Sequence, residues 1–91
     1  MKKQTIEKLR NEIDKIDEQI IKLLSDRMGK VKKIGEIKNK LDKPKLDPDR
    51  FNKLLKNRIE IAKKFGLPKN LITKIWNSIH DEALRIEENI K

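Results

Sequence analysis

The sequence predicts an all-α fold, with three helices per chain, the first very long, assembled as a homodimer. Apolar residues recur at three- and four-residue spacing from Ile6 to Leu41 with no proline among them, which is the period of one continuous helix. Helix-stopping and helix-starting residues then cluster at Pro44 to Pro48 and again at Gly66 to Pro68, dividing the remainder into two further helices. Nothing in the chain reads as a strand.

The first helix is expected over about residues 5–41, with Thr5 placed to cap it. Gly29 and Gly35 each weaken it by about 1 kcal/mol relative to alanine, so a break, if there is one, belongs there. Asp42 to Leu46, with Pro44 inside, reads as a loop. Asp47 followed by Pro48 is an N-cap and first helical residue. They open a second helix over about 48–65 through Phe51, Leu54, Leu55, Ile59 and Ala62, which Gly66 stops. Leu67 and Pro68 open the third, over about 68–90. Its apolar stripe is Ile72, Ile75, Ile79, Ala83, Ile86 and Ile90, with Trp76 beside it.

At 1.5 Å per residue the first helix is about 55 Å long, whereas a compact domain of this size has a radius of gyration of about 12 Å. The other two helices, about 25 and 35 Å, leave half of the long seam without a cover. A second copy of the chain with its long helix alongside is the expected solution.

The 91 residues, 35% of them hydrophobic, suffice for one small domain over 1–91. There is no cysteine, which excludes disulfides and thiolate metal sites. The opening Met-Lys-Lys-Gln has no apolar segment behind it, no apolar run approaches a membrane span, and a soluble cytoplasmic protein is expected. A net charge of +9, from 24 Lys and Arg against 15 Asp and Glu, suits a nucleic-acid binder, a membrane-surface binder or an enzyme acting on anions. Many lysines alternate with acids at helical spacing (Glu18 and Lys22, Asp26 and Lys30, Glu36 and Lys40), the pattern of a solvated helix face.

One residue breaks the seam. Positions 6, 13, 20, 27, 34 and 41 read Ile, Ile, Ile, Arg, Ile, Leu, and a cation among apolar neighbours requires an anionic partner, because arginine does not lose its proton. Arg27 and Lys38 are three helical turns apart and point the same way, about 16 Å from one another. Arg10 is rotated by about 100° and lies about 25 Å from Arg27, so it joins them only from the other chain of an antiparallel dimer. Asp47 and Arg50 stand one turn apart at the start of the second helix, and Glu87 lies one turn after Ala83 on the flank of the third.

Other chemistry finds little support. His80 is the single histidine, and no nucleophile set or metal-ligand spacing is present. Asp47-Pro48-Asp49 lacks the glycine and terminal glutamate of a calcium loop. No glycine-rich loop suggests a nucleotide, and three aromatics are too few for a stacking platform on single-stranded nucleic acid.

The motifs L-R-x-x-I-D-x-I-D (Leu9 to Asp17), L-L-x-x-R (Leu23 to Arg27), I-x-x-x-K (Ile34 to Lys38) and D-P-x-R (Asp47 to Arg50) occur in that order. Together they resemble the all-α AroQ class of chorismate mutases over about residues 5 to 90, without insertions. The resemblance implies an intertwined homodimer with two active sites, each built from both chains. By position, Arg10 of the partner chain holds one substrate carboxylate and Arg27 the other, while Lys38 meets the ether oxygen and a carboxylate. Arg50 supports the anionic site, Asp47 meets the hydroxyl region, and Glu87 falls where the family faces the ether oxygen with Gln or Glu.

The implied reaction, chorismate to prephenate in aromatic amino acid biosynthesis, is an intramolecular rearrangement needing no cofactor, metal or covalent intermediate. It needs a dicarboxylate held in a compact conformer, and cations beside the oxygen where negative charge grows. A carboxyl at 87 donates a hydrogen bond only when protonated, so catalysis is expected to improve as pH falls. Two substrate-binding positions depart from the family: Phe51 stands where a glutamate is usual, and Ala83 where serine or threonine is frequent. Isochorismate-pyruvate lyases share the fold and also lack that glutamate, which makes the lyase the alternative; Glu87, where those lyases have Gln, favours the mutase. A third reading is a basic helical binding module. It requires a continuous basic face, whereas the mutase requires cations converging on one pocket and no nucleic-acid or membrane partner.

Overall fold

The computed structural model describes residues 5–44 and 47–90. Three α-helices make up most of them: α1 (Ile6–Lys40), α2 (Pro48–Lys64) and α3 (Lys69–Glu88). Among the described residues there is no strand, and the all-α expectation holds. Lys45 and Leu46, the end of the expected loop, lie outside the described residues. The chain groups into two compact units, Met1–Lys30 and Val31–Lys91.

The first unit is helical from Ile6. Thr5 caps it: its Oγ1 accepts the Lys8 N–H at 3.0 Å and its carbonyl accepts the Leu9 N–H at 3.1 Å. Ile6, Leu9, Ile13, Ile16, Ile20 and Leu23 are all exposed, from 43% at Leu9 to 69% at Ile6. An apolar stripe this long in water is unfavourable by about 25 cal/mol per Å² of apolar surface. α1 passes through Gly29 and Gly35 without interruption.

In the second unit each helix end is closed by local chemistry. α1 ends with Asp42 in the left-handed region at φ 55°, and the Lys43 N–H returns to the Lys38 carbonyl at 2.8 Å, a Schellman closure. α2 starts on the Asp47 side chain and Pro48. It ends at Gly66, φ 76°, where the Leu67 N–H reaches the Ala62 carbonyl at 2.9 Å. α3 begins at Lys69, one residue later than expected. Pro68, extended at φ −77° and ψ 150°, occupies the cap position itself.

The buried apolar residues are Leu54 and Ala62 of α2 with Ile72, Ile79 and Ala83 of α3, and the two helices pack on one another. Ile75, expected in the third stripe, is 40% exposed, while Glu87 is only 8% exposed. The buried face of α3 is thus rotated toward Ala83 and Glu87. On the outer side, Arg85 Nε donates to Glu82 Oε1 at 3.0 Å. That side-chain hydrogen bond holds the Glu82 carboxyl below its ordinary range. Such a group stabilises the fold above its unfolded-state pKa, and the contribution disappears as pH falls through the folded value.

Candidate active site

α1 and α3 meet at a glycine. Gly35 is buried, and a Cβ there would lie 3.0 Å from Glu87 Cγ and collide with Ile90 Cδ1. One turn further along α1, Lys38 Nζ stands 3.3 Å from Glu87 Oε1, with the two side chains 26% and 10% exposed. The absent side chain at 35 is what lets the two helices bring these groups together. The contact is an ion pair without hydrogen-bond alignment, because Glu87 Oε1 is shielded from solvent and has no hydrogen-bond partner among the described residues. A buried carboxylate with an unused lone pair is costly unless a cation or donor is close. Lys38 supplies the cation.

The first turn of α2 brings two more expected residues together. Asp47 Oδ1 accepts the Arg50 backbone N–H at 3.1 Å, so Asp47 is a cap whatever else it binds. Both residues are exposed. Phe51 follows and stacks on His80 of α3, with ring centroids 3.9 Å apart and planes inclined by 21°. Ala83 is buried beside Glu87 on α3. Arg10 and Arg27 belong to the first unit, where Arg10 is exposed and Arg27 half-buried.

Sequence reasoning misses two residues. Gly35 reads there only as a weak point in a helix, because its neighbour Glu87 lies far along the chain and nothing local announces it. His80 reads only as a partner for a nucleophile, although its spacing to Ala83 and Glu87 at i, i+3 and i+7 already places all three on one helix face.

Comparison with known proteins adds an independent line. Residues 9–88 match the family model "Chorismate mutase type II". A chorismate mutase of Methanocaldococcus jannaschii is 38% identical over 86 residues, covering 88% of this chain and 86% of that one. A bifunctional chorismate mutase/prephenate dehydratase of Aquifex aeolicus is 35% identical over 89 residues, 94% of this chain but 25% of its own; the chain spans about a quarter of the length of such bifunctional relatives. The structure of a chorismate mutase (form II) from Thermus thermophilus superimposes with a TM-score of 0.86 at 32% identity, covering 94% of this chain and 97% of that one. The ordered charges of α1 and α2, the three-helix fold and these matches agree, and the chain belongs to the type II chorismate mutase family.

Proposed function

We infer that the protein rearranges chorismate to prephenate by electrostatic stabilisation and conformational restraint. The observation that carries this reading is the meeting of Lys38 with the shielded carboxyl of Glu87 at the Gly35 crossing. A cation beside a carboxyl that is shielded from water suits the breaking ether bond, where negative charge grows and is little screened. Lys38 supplies a point charge, and arginines suit bidentate contacts to carboxylates. By resemblance, Arg27 and Arg50 take the anionic groups, Asp47 the hydroxyl region, and Phe51 and Ala83 line the site.

The working unit in this reading is an intertwined homodimer. The exposed seam of α1 supports a second copy as its cover, and the second copy delivers Arg10. No helix among the described residues is long and apolar enough to cross a membrane.

Incubation with chorismate and, separately, with isochorismate distinguishes the readings by product. Prephenate from chorismate is expected; pyruvate with salicylate from isochorismate alone would establish the lyase. Substitution tests the role of Glu87. Glu87→Gln, which carries a donor at any pH, is expected to keep most of kcat/KM, whereas Glu87→Ala is expected to lose it. An alanine variant as active as the wild type would count against that role.

A further inference from the structure

The geometry points to His80 as a substrate-contacting residue that recognises the ring hydroxyl, an inference that rests on the mutase reading above. Thr73, Trp76, His80, Ala83 and Glu87 follow one another at three- and four-residue intervals, on one face of α3. Glu87 closes the C-terminal end of that face against Lys38. Two turns earlier the His80 ring lies against Phe51, the residue directly after Arg50. The imidazole therefore stands between the two parts of the second unit that carry the expected anion-binding and ether-facing groups.

Stacking engages the faces of the ring and leaves its edge. Neither ring nitrogen of His80 makes a hydrogen bond to any described residue, and the side chain is half-buried. The phenyl ring of Phe51 orients an imidazole whose hydrogen-bonding capacity is unspent. A neutral imidazole offers one donor and one acceptor, which complements a hydroxyl, itself both donor and acceptor, better than a carboxylate does. Phe51 has no polar atom to offer such a group. The seven-residue interval from His80 to Glu87 is about 10 Å of helix rise, and the proposal has each side chain reach from its own turn toward the same bound ring. Isochorismate carries its hydroxyl on a different ring carbon, so the same contact favours chorismate.

Three measurements on the full chain test this. His80→Phe keeps a stacking ring and removes both nitrogens; it is expected to keep the wild-type Tm, to raise KM for chorismate about tenfold with a smaller change in kcat, and to leave inhibition by isochorismate unchanged. His80→Gln, which restores a donor and an acceptor, is expected to recover part of that KM. The ring resonances of His80, the single histidine of the sequence, are expected to shift on saturation of the wild type with chorismate. A wild-type KM in His80→Phe, equal loss toward both ligands, or unmoved ring resonances would overturn the assignment while leaving the mutase reading intact. A wild-type protein that does not convert chorismate at all would overturn both.

Discussion

Glu87 takes a carboxylate to a place that is 8% exposed, and Lys38 makes that position tolerable. Removing one partner of a fully buried pair costs about 3–5 kcal/mol, and the partial exposure of Lys38 brings the expected cost of Lys38→Met to about 1–3 kcal/mol. The double variant Lys38→Met with Glu87→Leu removes both charges and should regain most of that stability. Its activity should stay down by at least about 10²-fold if Lys38 and Glu87 face the reacting oxygen as proposed. Chemical denaturation and kcat/KM on the same samples check this; a double variant that recovers activity along with stability would mean that the pair is structural. The charges at 38 and 87 were legible in the sequence as separate helical positions. Their meeting was not, because it depends on which face of α3 turns toward α1.

At the scale of the element, the two glycines of α1 make a contrast. A Cβ at Gly29 meets nothing within 4 Å, whereas at Gly35 it meets Glu87 and Ile90. Gly29→Ala is expected to stabilise by up to about 1 kcal/mol through helix propensity alone. Gly35→Ala gains the same propensity but pushes α3 away, at an overpacking cost of about 1–3 kcal/mol, and should lower kcat by displacing Glu87 from Lys38. Thermal melts and steady-state kinetics separate the two, and equal effects would contradict the crossing described here. The element boundaries were largely readable, because Thr5, Asp47 and Gly66 act through bonds to residues three to five positions away. Asp42 was not foreseen as the left-handed residue closing α1, and Pro68 was expected inside α3 rather than before it. Of the stripe expected on α3, Ile72, Ile79 and Ala83 are buried and Ile75 is exposed, while Glu87 is buried outside it, since hydropathy alone gives a glutamate no reason to be inside.

On the scale of the whole molecule, the exposed isoleucines and leucines of α1 and the surplus of nine positive charges point in one direction. The apolar seam asks for a second chain, and the excess of positive charge suits an anionic ligand. Periodicity alone announced the first requirement and Arg27 in the seam announced the second, whereas the anion proposed for the site rests on the ordered motifs and the family match. The proposed shared site would join both requirements, and mixing variants tests it most directly. Arg10→Ala and Arg27→Ala should each be nearly inactive toward chorismate. Unfolded together and refolded as an equal mixture, they should regain about a quarter of wild-type activity, because half of the dimers are mixed and each mixed dimer holds one intact site. A mixture no more active than either variant alone would contradict a site built from two chains.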